Sequence, residues 1–148
     1  MFRNKRQTHR FWLLVAFIVL IYGASHYQPP GEVTEVAAPQ VTIAELYQQQ
    51  QSDVQIEVSG QVIRLLEDDN DGSRHQRFII EMADGHTLLV AHNIDLAPRI
   101  GGLELGDEVT VYGEYEWNQK GGVMHWTHHD PDNRHPHGWI RHQGQLYQ

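Results

Sequence analysis

The sequence predicts a mainly β protein: a small five-stranded, OB-like closed barrel with a short helix at its start, preceded by one hydrophobic export or anchor helix. Three observations lead there. Apolar and polar residues alternate with period two from Val54 onward, broken by regular turn signals. A basic flank and an uncharged apolar run open the chain. With 148 residues and no cysteine, there is room for one modest core and no disulfide to staple it.

Taken in order, Arg3, Lys5, Arg6 and Arg10 precede the uncharged run Phe11–Tyr22, and the small residues Gly23, Ala24 and Ser25 follow. At about 1.5 Å per residue, Phe11 to Ser25 reaches about 22 Å, short of a hydrocarbon core of about 30 Å. Residues 1–25 therefore read as a signal peptide cleaved after the small residues, or as a retained anchor with Trp12 and Tyr22 near the two interfaces. A buried helix of the folded domain is disfavoured, because the run is apolar on all sides. Both readings imply export, to the periplasmic face of a bacterial inner membrane or to the periplasm. The membrane is a partner only if the segment is kept. Residues 26–40, with Pro29, Pro30, Gly31 and Pro39, read as an extended linker before a domain spanning 41–148.

Thr42 with Glu45 forms a capping box, and Val41 with Leu46 the accompanying staple, so a short helix is expected through Ile43–Gln48. Val54, Ile56, Val58 and Val62 alternate with polar residues in a long first strand, and Gly60 offers a place to bend. Phe78, Ile80 and Met82 mark a second strand. Asp84-Gly85 is a hairpin turn that returns His86–Ile94 antiparallel to it. Val109, Val111, Gly113 and Tyr115 line a fourth strand, and Lys120-Gly121-Gly122 turns into a fifth, Val123–His129. Five such strands suit an OB-type barrel, with an open sandwich as the rival architecture. Residues 130–148 are expected to be irregular and pinned by Trp139, Ile140 and Tyr147.

Charge and composition exclude several functions. The first ten residues hold four of the 11 Lys+Arg, leaving seven basic against 19 acidic side chains in the remainder. Such a surface repels phosphate backbones, so nucleic acid is a disfavoured partner. The absence of cysteine removes thiol nucleophiles, zinc ribbons and iron–sulfur ligation. The chain carries no phosphate-binding glycine loop ending in Lys-Ser/Thr, no G-x-G-x-x-G, no H-E-x-x-H and no G-x-S-x-G.

Histidine is the conspicuous residue. Six of the 11 lie between His125 and His142, a density that points to a divalent-metal site, with zinc the natural ion for imidazole. In a strand, i and i+2 share a face about 6.6 Å apart and can reach one ion, whereas i and i+4 are about 13 Å apart. His128 with Asp130 satisfies this spacing, as does His135 with His137 across Pro136. His125 shares a face with His129 but not an ion, and His75 and His92, beside Gln76 and Asn93, stand on neighbouring hairpins. The metal candidates are thus His75, His92, His125, His128, Asp130 and His135, and Arg74, His75, Asn93, Arg99 and Trp126 are the candidates for a bound ligand. The same histidines would also serve as hydrogen-bonding rim residues or a pH-responsive surface.

Three further patterns are weaker. Glu67-Asp68-Asp69-Asn70-Asp71-Gly72 has acids at the first, third and fifth places of a calcium loop, but Phe78 at the twelfth cannot supply the bidentate carboxylate. Glu114 and Glu116 share a strand face, as an acid/base pair or an ordinary solvated face would. Arg74, Arg77, Arg99 and Arg134 with Trp117 and Trp126 suggest a basic, aromatic groove of the kind OB barrels use for oligonucleotides or oligosaccharides.

The stretches DDNDGSRHQRF (68–78), LLVAHNIDLAPRI (88–100), GDEVTVYGEYEWN (106–118), GGVMHWTHHDP (121–131) and RHPHGWI (134–140) resemble a bacterial family, domain of unknown function 3465, over residues 42–148. The resemblance implies an N-terminal export segment and brings no activity or catalytic residues. Two functions follow from the residues themselves. One is an envelope-facing binding module with a His/Trp-rich rim that recognises a small or oligomeric ligand, helped by a divalent ion. The other is a small metal-dependent hydrolase acting on phosphodiesters, with Arg74 or Arg99 steadying developing charge.

Overall fold

The computed structural model describes residues 41–148; the export segment and linker expected over 1–40 lie outside the described residues. Helix α1, Ile43–Gln48, begins as its capping box requires: Glu45 N donates to Thr42 Oγ1 (3.2 Å), and Thr42 N donates to Glu45 Oε2 (2.8 Å). Ile43 and Leu46 are buried, whereas Val41 remains 54% exposed, so the expected staple buries only one partner. Trp117 fastens the helix to the barrel by donating its indole N–H to the Tyr47 carbonyl (3.1 Å).

The strands are β1 Val54–Leu65, β2 His75–Glu81, β3 Thr87–Asn93, β4 Glu108–Glu116 and β5 Val123–His125. Their pairing runs β1-β2-β3-β5-β4 and closes through β1–β4. All pairs are antiparallel except β3–β5. This is the closed five-stranded OB-type barrel, and closure leaves the central strands without free edges. Strand β1 is long because it serves two partners, facing β4 over Val54–Gln61 and β2 over Gln61–Leu65. The changeover falls at Gly60, where a Cβ would stand 2.8 Å from the Glu81 carbonyl oxygen. Only glycine permits that approach.

Inside the barrel, Val62, Phe78, Ile80, Val109 and Val111 are at most 1% exposed, packed with Leu88, Val90, Tyr115 and Met124. Val58, expected with them, packs against this core only partly buried, because the first half of β1 lies at the barrel mouth beside α1.

The C-terminal quarter departs from expectation. β5 stops at His125 rather than His129, since Trp126 takes a left-handed φ of 52° that turns the chain out of the sheet. After an excursion over the outer surface the chain returns as a hairpin, β6 Trp139–His142 and β7 Gln145–Tyr147, where an irregular tail was expected. β6 pairs with β4 over Val109–Tyr112, the stretch of the edge that β5 leaves uncovered. Gln143 and Gly144 both have positive φ (48° and 78°), the mirror-image turn that matches strand twist. Ile140 is fully buried and closes that side of the core.

Candidate metal centre on the outer face of the barrel

In β4, Gly113 and Tyr115 point inward, so Glu114 and Glu116 point outward. The ladders then choose their neighbours. Glu114 stands opposite His125 on β5 and opposite Gln55 on β1, and directly opposed residues share a face. His125 Nε2 lies 3.4 Å from Glu114 Oε1 and 3.9 Å from Glu116 Oε1. Among the described residues, Glu114, Glu116 and His125 form the one group of three whose ligand atoms all lie within 4.8 Å of one another.

A fourth group reaches the cluster from the excursion. His135 Nε2 is 2.7 Å from Glu114 Oε2, and its ring stacks on Trp126 (centroids 4.1 Å, planes 12° apart). Asp130 builds the loop that carries it. The Asp130 carboxylate accepts from the backbone N–H groups of Asp132 (3.0 Å), Arg134 (2.6 Å) and His135 (2.8 Å), which hold its pKa below the ordinary carboxylate value. Gly138 closes the loop by donating to the His128 carbonyl (2.9 Å), and a Cβ there would strike the Trp126 carbonyl.

The pKa values of the two imidazoles facing Glu114 are shifted in opposite directions. Burial lowers the pKa of His125 against the opposing pull of Glu114 and Glu116. Its Nε2 is buried and, among the described residues, has no aligned hydrogen-bond partner. Burial also works to lower His135, but the hydrogen bond to Glu114, the Pro136 carbonyl and the charges of Glu114 and Asp130 outweigh it and hold its pKa above the ordinary value. Geometry agrees, since both His135 nitrogens face oxygens, Pro136 O at 2.9 Å and Glu114 Oε2, and can satisfy both only by donating twice. The Gln55 amide, beside Glu114, likewise buries both its oxygen and its nitrogen without a partner. A buried polar atom left unpaired costs about 1–3 kcal/mol. Three of them stand in one row with two carboxylates.

The remaining candidates are distributed as follows. His92 lies inside the barrel, where Nε2–H donates to the Pro98 carbonyl (3.1 Å) and Nδ1 accepts from the Thr127 hydroxyl (2.8 Å). Both nitrogens are taken, and burial lowers its pKa to about 4. Asp130 is committed to the loop. His128 donates Nδ1–H to the His129 carbonyl (2.7 Å) and lines a hollow of about 200 Å³ together with His75, Asn93, His125 and Trp126. Arg74 pairs with Asp95 (2.7 Å), Arg99 with Asp68, and Arg77 with the Glu67 carbonyl and Asp69 (3.6 Å). In the calcium-like loop the carboxylates of Asp68 and Asp69 thus meet arginines. Trp117 stands apart against Tyr47.

Glu114 and Glu116 read from the sequence as a strand face; only the ladder register places them beside His125. Gln55 carried no signal at all.

The fold and the cluster define a small OB-type barrel with a carboxylate–imidazole group that could hold a metal ion. The chain belongs to the family described as protein of unknown function (DUF3465), whose model matches residues 31–148. No curated protein matches it.

Proposed function

We propose that this protein is an exported, envelope-facing binding module that holds one divalent cation, zinc foremost, on Glu114, Glu116 and His125. The observation that carries the reading is the buried, unpartnered Nε2 of His125 facing two carboxylates. A neutral imidazole and two carboxylates are the donors a borderline cation takes, and two negative charges balance a divalent ion. Donors on a tetrahedral zinc shell at about 2.1 Å stand about 3.4 Å apart, and His125 Nε2 to Glu114 Oε1 is 3.4 Å. His135 acts from outside that shell, orienting Glu114 as outer partners do in metal sites. Export rests on the basic flank and apolar run of residues 1–25.

Binding is favoured over hydrolysis because the nearby acids are already committed. Asp130 serves its loop and Asp95 holds Arg74, leaving the ligating pair without a separate general base. The test is metal content and titration calorimetry of the purified protein supplied with zinc. One zinc per chain is expected, with Glu114→Gln weakening it by about 100-fold, the usual scale for losing a ligand or its support. A zinc-supplied wild-type protein that binds none overturns the proposal.

A further inference from the structure

The hollow beside the cluster is part of the same surface. Ala91 follows Val90, the partner of Met124 in the parallel β3–β5 ladder, so it stands beside His125 on the outer face, and Arg77 pairs with it from β2. Its methyl group leaves a floor where any longer side chain would rise. Around that floor stand His75 and Asn93, cross-strand partners, with His125, Trp126 and His128. His125 therefore borders both the hollow and the two carboxylates.

The lining is chemically selective. Although the chain carries 19 acids against 11 bases, none of the residues around the hollow is acidic. Asn93 Oδ1 accepts from the backbone N–H of Asp95 (2.9 Å), and its Nδ2–H₂ has no hydrogen-bond partner among the described residues. His75 adds a ring nitrogen, and Trp126 supplies a flat apolar wall. Arg74, next to His75, is held by Asp95 at the rim. A cation on three protein donors keeps at least one coordination position for an outside ligand.

We propose that the hollow over Ala91 holds the oxyanion of a small phosphate or carboxylate ligand, which completes the coordination of the cation at His125 and takes a hydrogen bond from Asn93. This rests on the metal reading above and gives it a ligand class. The volume, about 200 Å³, suits an anion of a few heavy atoms or the end of a larger ligand passing over Leu96.

The test uses the Co²⁺-loaded protein, whose visible absorption changes when the donor set changes, titrated separately with inorganic phosphate and with acetate. A saturable change is expected, and the anion that binds more tightly identifies the group. Ala91→Leu fills the hollow without replacing a ligand of the cation, and should weaken the anion by at least about tenfold in a protein that still binds Co²⁺. Asn93→Asp preserves the turn to Asp95 while replacing a donor with a charge, and should do the same in a protein whose melting is unchanged. Cobalt binding with no anion response overturns the oxyanion proposal alone. An anion response equal in wild type and both variants also overturns it, by showing that the anion meets the metal outside the hollow. Failure to bind Co²⁺ or zinc overturns the metal reading itself, and the oxyanion proposal with it.

Discussion

His125 and His135 address opposite oxygens of one carboxylate, that of Glu114, and their proton affinities are driven apart: His125 is lowered and His135 raised. Burial favours the neutral form of His125, while the contacts with Glu114 and the Pro136 carbonyl favour the protonated form of His135. Stacking of that protonated ring on Trp126 adds a cation–π attraction.

The raised pKa of His135 sets the direction of a pH effect. A group bound more tightly to its proton in the folded state stabilises fully below its unfolded pKa, and this is lost as pH rises through the folded value. In chelator, His135→Gln should therefore lower the melting temperature more at about pH 5.5 than at about pH 9. Equal losses at both would show that the Glu114 contact is not ionic.

His92 works in the opposite sense. Its folded pKa is depressed to about 4 from 6.5, so the unfolded chain takes up a proton first and stability falls as pH drops through that window. The loss should reach about 3 kcal/mol between the two values. Denaturant unfolding from about pH 7 to pH 4 measures it, and His92→Gln should flatten that part of the curve.

Phe78 tests the barrel register. It is 0% exposed, and Phe78→Ala should cost about 3–5 kcal/mol in equilibrium unfolding. Ile79, its outward neighbour, should tolerate Ala at a clearly smaller cost, because a strand presents alternate residues to opposite faces.

Gly138 connects the excursion to the sheet. A Cβ there would lie 2.6 Å from the Tyr112 carbonyl oxygen and 2.9 Å from Thr127 Cα. Gly138→Ala should loosen the loop that presents His135, weakening zinc while leaving the barrel folded. Calorimetry with circular dichroism separates the two effects.

The export segment is tested by a reporter fused after residue 40. Activity should appear only where the host secretes it, and activity in the cytoplasm would sink the assignment.

Much of the barrel is local information. Thr42 and Glu45 define a helix start by themselves, Asp84-Gly85 defines a hairpin, and the alternation around Phe78 assigns faces without any knowledge of partners. Trp126 is where local reading fails: a left-handed tryptophan is unfavourable in isolation and persists only because stacking on His135 and the loop around Asp130 hold it. The extension of β5 to His129 and the irregular tail were both consequences of not seeing that turn. The Gln143-Gly144 dipeptide was the available sign of the final hairpin.

The sequence by itself determined the period of the strands, the helix cap, the turns, the basic and apolar opening of the chain and the unusual density of histidine, because each depends on residues within a few positions of one another. Only the tertiary structure decided which histidines matter. His92 and His125 look alike in sequence, yet one turns into the barrel and gives both nitrogens to Thr127 and Pro98, while the other turns outward beside Glu114 and Glu116. The parallel closure of β3 on β5 and the return of His135 from 21 residues beyond Glu114 are long-range pairings. They are settled by the collective burial of the core, which no local pattern encodes.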